Sequence, residues 1–517
     1  MSRNAMLNGE KWGKQLMQDG TRLAAVDLGS NSFRLEIGRI EHGQYCRTEY
    51  LKETVRQGNG LDGERRLSAD AMQRGWDCLA RFGERLAGFS STQVRAVATQ
   101  TLREARNRDQ CLARASVVLG FPIDVISGRE EARLIYQGVA QALAHSDERR
   151  LVIDIGGRST ELILGQGLTP TQMESYRVGS SAWSTRYFPD HKFTQHAFQM
   201  SEIAAKAVLD EALNAYRRDA WDVAYGSAGT VGAVGDVLAA ADWPAGLVNR
   251  EGLDWLLDKL LSAQSADRLR LPGLKEDRRS VIGGGLSILR AVFDLLKIDQ
   301  LKLANGSLRH GLLYDLTGHN SDPTDVRAKS VDALAARFGT DSAHGRRVGQ
   351  VAVQLLTQLL GPEAATAAPA DERPHRKLSW AARLHEIGSQ ISHSDYHKHG
   401  AYILDNADVM GFALSELHTL GLLVLGHRGK LRKLEIALDD EILVQQLLAL
   451  RLAVILCHAR RDPDLIGLTL SRDGQKPNQF ILRWRTGWAR AYPQSAHLLH
   501  EEVLAWQKTP WSLSLSG

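Results

Sequence analysis

The feature that most constrains this chain is a hairpin that it contains twice. Residues 24–38 read AAVDLGSNSFRLEIG, and residues 151–165 read LVIDIGGRSTELILG. Each is an apolar strand ending in Asp, a turn of glycine and small polar residues, and a second apolar strand. Asp27 and Asp154 stand 127 positions apart, about the length of a small domain. Turn chemistry explains why one strand stops at a Gly-rich stretch. It does not explain why the whole strand–Asp–turn–strand unit recurs, and the recurrence predicts two lobes built on one plan.

Strand-like and helix-like stretches alternate around each hairpin. In the first lobe Ser68 reads as the cap of a helix with apolar residues at 72, 76, 79, 82 and 86. VRAVATQT and FPIDVISG read as strands, and REEARLIYQGVAQAL as a helix. The second lobe repeats that order, with helical periodicity over 197–218, a strand running into a glycine turn at VAYGSAGTVGAV, and a glycine-rich helix start at VIGGGLSIL. This alternation predicts an α/β fold of mostly parallel sheets flanked by helices. The polar, turn-rich stretch 316–330 marks a boundary, and helical periodicity dominates from there to about residue 466. The expected organisation is an N-terminal extension over 1–21, α/β lobes over 22–134 and 135–320, a helical domain over 321–435 and an α+β domain over 436–517.

A chain of 517 residues exceeds what a single core organises. Its 43% apolar and 24% charged residues are those of an ordinary globular protein. Lys and Arg number 64 against 60 Asp and Glu. The net charge of +4 allows a polyanionic partner without demanding one, and is milder than that of most nucleic-acid-binding domains, so no nucleic acid is expected. Cys46, Cys78, Cys111 and Cys457 form no CxxC pair, which argues against a disulfide framework or structural zinc and for a reducing compartment. The N-terminus lacks a signal-peptide stretch. The apolar run 442–459 is broken by Gln445, Gln446 and Arg451, so it reads as a buried helix and not a membrane span. The expected location is the cytoplasm.

Glycines after a strand let the backbone approach a ligand and aim successive N–H groups at phosphate oxygens. Three turns qualify: Gly29-Ser30-Asn31-Ser32, Gly156-Gly157-Arg158-Ser159-Thr160 and Gly226-Ser227-Ala228-Gly229-Thr230. Any one alone is as readily plain turn chemistry. Asp154, at a strand end beside such a turn, is placed to hold Mg²⁺ directly or through water, with Glu161 seven residues on. The alternative is that Asp154 caps its own turn and Glu161 is solvated. Glu130 and Glu131 open a helix, and only one of two adjacent helical residues can face a cleft. Arg34, Arg103 and Arg278 are suited to bidentate phosphate contact and equally to a surface.

In this order, VDLGSNSFRL, ATQTLREA, ISGREEARLI, VIDIGGRSTEL and YGSAGT resemble the exopolyphosphatase/guanosine pentaphosphatase (Ppx/GppA) family. The resemblance continues through LSWAARLHEIGSQISHSDYHKHGAYILDNADVMGF, and the length is most like the family's long exopolyphosphatases. It implies two duplicated ribonuclease H-like lobes of the actin-like ATPase superfamily, followed by a mainly helical HD-like region. The implied reaction is processive hydrolysis of the terminal phosphate of inorganic polyphosphate with Mg²⁺, with K⁺ as a further candidate ion. The alternative within the family is conversion of pppGpp to ppGpp. The resemblance also implies a homodimer and allows loose attachment to a membrane surface.

By motif, Glu131 would be the general base, and Asp154 and Glu161 the metal residues. Ser30, Asn31, Ser32, Arg34, Arg103, Gly156, Gly157, Ser159, Gly226, Ser227, Gly229, Thr230 and Arg278 would hold phosphates. Two departures stand out. Arg158 replaces a glycine of the usual DIGGGST; it costs about 1 kcal/mol or more if that position needs positive φ, and alternatively adds a phosphate contact. The His-Asp pair of HD-type domains reads His385-Glu386. Around it His393, His397, His399 and His427 are ligand-like without completing a metal set. This module is expected to guide the polyanion, with His427, Arg428, Lys430, Arg432 and Lys433 as the basic contact. From other classes, an ATP-binding kinase or a catalytically silent sensor would keep the fold but lose this chemistry.

Overall fold

Each copy of the repeated hairpin forms the middle of its own sheet. The computed structural model describes residues 18–41, 44–143, 146–317, 326–361, 373–407 and 409–517. Most of the expected N-terminal extension and residues 318–325 of the expected boundary lie outside the described residues. The chain divides into two compact units, Met1–Asp322 and Pro323–Gly517.

The first unit holds both α/β sheets. One is built from β1 (Arg22–Leu28), β2 (Phe33–Glu41), β3 (Gln44–Glu53), β4 (Val94–Ala98) and β5 (Ile123–Val125), in the order β3-β2-β1-β4-β5. The other contains β6 (Arg149–Ile155), β7 (Thr160–Gln166), β8 (Thr169–Tyr176), β9 (Val223–Ser227), β10 (Leu247–Asn249) and β11 (Gln300–Leu303), in the order β10-β11-β9-β6-β7-β8. An antiparallel meander, β1–β3 or β6–β8, is joined through its first strand to a parallel neighbour, β4 or β9. The duplication is therefore one of topology as well as of sequence. The sheets are mixed where the alternation predicted mostly parallel ones. The overlooked strands β3 and β8 are polar, QYCRTEYLKE and TPTQMESY. An antiparallel edge strand needs only one dry face, so it carries little apolar signal.

Helix starts follow local chemistry. Ser68 Oγ accepts the Ala71 N–H to cap the Ala69–Arg85 helix. Ser127 Oγ likewise accepts from Glu130 N at 3.1 Å, opening the Gly128–Ala142 helix with Glu131 in its first turn. That helix packs on the Leu308–Leu316 helix through glycines. A Cβ on Gly311 would lie 2.0 Å from Leu134 O, one on Gly138 2.1 Å from Ser307 O, and one on Gly306 2.1 Å from Gly138 O. Backbone meets backbone along this seam.

The second unit is mainly helical around a core that includes Leu355, Leu404, Leu423 and Leu448, and it ends in a small sheet. The sheet is β12 (Thr469–Arg472), β13 (Gln479–Arg483) and β14 (Ser512–Ser516), in that order. The apolar run 442–459 forms the buried Glu441–Leu456 helix. Its interruptions are anchors: Arg451 pairs with buried Glu502 and donates to Gly426 O at 2.6 Å, and Gln446 donates to Pro374 O at 2.7 Å. Among the described residues no helix is long and apolar enough to cross a membrane, and the four cysteines are free thiols.

The glycine seam is testable. Gly311→Ala forces a methyl against the Leu134 backbone, so we expect a loss of about 1–3 kcal/mol, read as a lower urea midpoint.

Candidate active site

The carboxyl ends of β1 and β6 open into one cleft of about 550 Å³, where ligands of open α/β sheets bind. Register sets its floor. Asp27 is paired across the hairpin with Arg34, and Asp154 with Glu161. Directly opposed residues share a face of an antiparallel pair, so both members of each pair point the same way. The two turns match in detail. A Cβ on Gly29 would meet Ser32 O at 3.0 Å, and one on Gly156 would meet Ser159 O at 3.1 Å. The turns also face one another, because a Cβ on Gly157 would lie 3.2 Å from Ser30 Cβ and 3.5 Å from Asn31 N.

Of the residues singled out in the sequence, Ser30, Asn31, Ser32, Arg34, Glu131, Asp154, Gly156, Gly157, Ser159, Glu161, Gly229 and Arg278 line this cleft. Glu130 does not; it pairs with buried Arg133, which also holds Asp315. Four others stand behind the lining. Arg103 donates to Glu131 Oε2 at 3.1 Å and to Ile126 O at 2.8 Å, so it braces the glutamate. Ser227 Oγ donates to the Asp154 carboxylate. Gly226 is a packing glycine, its missing Cβ replaced by Val231 and Leu301. Thr230 is buried against Gly285.

The GSAGT stretch is no turn. β9 passes straight into the Ala228–Ala239 helix, and the positive φ of 63° falls on Ala228, not on a glycine. Because Ser227 is engaged by Asp154, no side chain caps that helix. Its first residues, Ala228 and Gly229, line the cleft, where free N–H groups at a helix start favour an anion. Gly229 also admits a cation: a Cβ there would sit 2.0 Å from Arg278 Nη2. Arg278 has no ion-pair partner among the described residues, and burial lowers its pKa, with Arg34 adding to the effect. Arg158 meets neither expectation made for it. It lies outside the positive-φ region and outside the cleft lining, and it ties the lobes together by bonding Glu104 at 3.0 Å and Gly58 O at 3.2 Å.

Asp27, Tyr50, Lys52, Lys275 and Arg309 also line the cleft and were not among the assigned site residues. The duplication itself was a signal for Asp27. Lys52 and Tyr50 alternate along an edge strand, and Arg309 opens a helix, so neither carried a motif. Arg309 is held by buried Glu36 at 3.3 Å and lies 3.8 Å from Asp27.

Burial pushes the Glu131 carboxyl up to about 7, against the pull of Arg103. It lifts Asp154 to about 6, against the Ser227 hydrogen bond and Arg34. Glu161 is raised well above its ordinary range by burial and then by the charges of Glu131 and Asp154, although Ser175 Oγ donates to it at 2.7 Å. Three crowded carboxylates of this kind favour a divalent cation.

In the second unit the basic run divides. His427 is buried, its Nδ1–H donating to Val424 O, so it offers no surface contact. Arg428, Lys430, Arg432 and Lys433 are exposed, with Arg428 stacked over Tyr396 and Lys433 Nζ donating to Arg428 O. His393 is exposed and His399 half-buried.

A model of the Ppx/GppA phosphatase family matches residues 38–320, and one of Ppx/GppA phosphatase domain III matches residues 326–503. The chain belongs to the Ppx/GppA phosphatase family. It is accordingly a hydrolase acting on phosphoanhydride bonds. It is 40% identical over 444 residues to the guanosine-5'-triphosphate,3'-diphosphate pyrophosphatase of Vibrio cholerae, covering 86% of this chain and 88% of that one. To the protein of the same name from Pseudoalteromonas translucida it is 36% identical over 504 residues, 96% and 99% of the two chains. The crystal structure of an exopolyphosphatase from Cytophaga hutchinsonii shares the fold, with a TM-score of 0.52 at 24% identity over 58% of this chain and 98% of its own.

The raised carboxyl groups give a pH signature. Between about pH 5 and 7 the folded chain keeps protons on Glu131 and Asp154 that the unfolded chain has released. The stability of the metal-free protein therefore falls as pH rises through that window, by about 2–3 kcal/mol per group. Calorimetric unfolding in EDTA at pH 5 and pH 7.5 checks this, and the fall should shrink in Glu131→Gln.

Proposed function

We propose that this protein removes the terminal 5'-phosphate of pppGpp, giving ppGpp and orthophosphate. The observation that carries the choice of substrate is the name borne by relatives at 40% and 36% identity over 86% and 96% of this chain. Inorganic polyphosphate, the first expectation from the sequence, becomes the second candidate, since its support is a likeness of fold.

The cleft chemistry fits anhydride hydrolysis, which needs positioning and charge neutralisation more than covalent chemistry. Glu131 is the general base. A carboxyl group near 7 can take a proton from the attacking water at neutral pH, and Arg103 fixes its orientation. Arg34, Lys52, Lys275, Arg278 and Arg309 supply positive charge for the phosphates that do not react. Asp154 and Glu161 are hard oxygen donors on one face, a set that fits Mg²⁺ completed by water and substrate oxygens. Bound there, Mg²⁺ would neutralise developing charge on the transferred phosphoryl group.

The test offers pppGpp and long-chain polyphosphate in parallel with Mg²⁺, following phosphate release and identifying the nucleotide product. Faster turnover of pppGpp to ppGpp is expected, with kcat falling about 10²–10⁴-fold in Glu131→Gln. Activity on polyphosphate alone would reverse the substrate order. Release unaffected by Glu131→Gln would remove the base from the mechanism, and no release would favour a sensor.

A further inference from the structure

The second unit contains a cluster that the phosphate cleft does not use. His344 lies in the first turn of the Ser342–Leu360 helix, and His385 and Glu386 follow the Arg373–Leu384 helix. One ligand atom from each lies within 4.8 Å of the others. Both imidazoles are buried, at 4% and 2% exposure. His344 was not picked out in the sequence, because it sits some forty residues before the His385-Glu386 pair and no spacing rule joins them.

The polar atoms of this cluster are left open in a particular way. His344 Nδ1 is buried and has no hydrogen-bond partner. His385 donates Nδ1–H to Ala382 O at 2.6 Å; a carbonyl only accepts, so the lone pair is on Nε2, 4.0 Å from Glu386 Oε1. A ring N–H donated to a backbone carbonyl is the arrangement that orients a metal-ligating histidine. His427 adds a third buried ring 5.3 Å from that of His385, with its own Nδ1–H on Val424 O. Burial holds His344, His385 and His427 below the ordinary histidine range and hence neutral, the form that binds metals. Packing alone does not account for the cluster, since an apolar residue at 344 would fill the space without stranding a buried nitrogen.

We propose that His344, His385 and Glu386 bind a borderline first-row divalent cation, for which Zn²⁺ is the best-suited ion. Imidazole donors select this class over Mg²⁺. Zinc–nitrogen distances of about 2.0–2.1 Å require the three donors to draw together by about 1 Å. One contact opposes binding: Arg460, half-exposed, donates to Glu386 Oε1 at 2.7 Å and to Asp341 at 3.0 Å. The cation displaces that guanidinium from Glu386, so Arg460 sets the affinity from the rim. The site is one of binding, and no catalytic step is assigned to it.

The experiment uses full-length protein stripped with EDTA. Zn²⁺ is titrated by calorimetry, and Co²⁺ by its visible absorption, which reports nitrogen and oxygen ligation. We expect one zinc equivalent that persists in Glu161→Gln and in excess Mg²⁺ and is lost in His344→Gln and His385→Asn. Arg460→Ala should tighten it roughly tenfold. Circular dichroism checks that the variants fold. If both histidine variants unfold, the cobalt spectrum of the unsubstituted protein and the Arg460→Ala shift decide. No zinc uptake, or uptake abolished by Glu161→Gln and kept in His344→Gln, would overturn the proposal.

Discussion

In an antiparallel hairpin, directly opposed residues share one face of the sheet, and the cleft of this protein depends on that constraint. Asp27 faces Arg34 and Asp154 faces Glu161 at the same seven-residue spacing and at the same place in two copies of one topology. Among the positions at which the copies differ, the one that opposes the aspartate carries Arg34 in the first and Glu161 in the second, so duplication produced a cleft with unlike walls. The first hairpin carries an internally compensated pair, with Arg34 bonding Asp27 at 3.0 Å. The second carries two carboxylates, neither of which has an ion-pair partner among the described residues. Everything else at the site answers to that imbalance.

The neighbouring elements meet it differently. Arg103 braces Glu131, Ser227 donates to Asp154 and so leaves a helix start uncapped, and Ser175 donates to Glu161. None of these contacts removes the repulsion, which is why burial and mutual charge raise the pKa of all three acids. A polar group is tolerated at a buried site only when it is paired or when function requires it unpaired. Of the surrounding cations, Arg34, Lys52 and Arg309 are held by Asp27, Asp277 and Glu36, whereas Arg278 has no ion-pair partner among the described residues. The cleft thus sets buried acids beside a buried arginine, the balance of charge on which the proposed phosphoanhydride chemistry rests.

Glycine serves packing more than unusual torsion. At Gly29 and Gly156 the carbonyl three residues on would crowd a Cβ, and at Gly229 the Arg278 guanidinium occupies its place. Along Gly138, Gly306 and Gly311 two backbones touch, tying the helix that bears Glu131 to the one that bears Arg309. The replacement of a family glycine by Arg158 is tolerated because that position has ordinary torsions and room for a side chain that reaches the other lobe.

Much of the site was legible in the sequence because its residues lie at strand ends and helix starts, where local chemistry and spacing set their direction. The repeat by itself determined the two-lobe plan and put Asp154 and Glu161 in one hairpin, and the local sequence put Glu131 at the start of a helix. The polar edge strands β3 and β8 escaped notice because a half-solvated strand has little apolar pattern. Only the tertiary structure decided that Arg103 and Ser227 stand behind the lining, that Lys52, Lys275 and Arg309 join it, and that His427 is buried. It alone brought His344 beside His385. The physical reason is the same in each case: periodicity and capping act over a few residues, whereas burial and charge pairing arise between segments that only folding brings together.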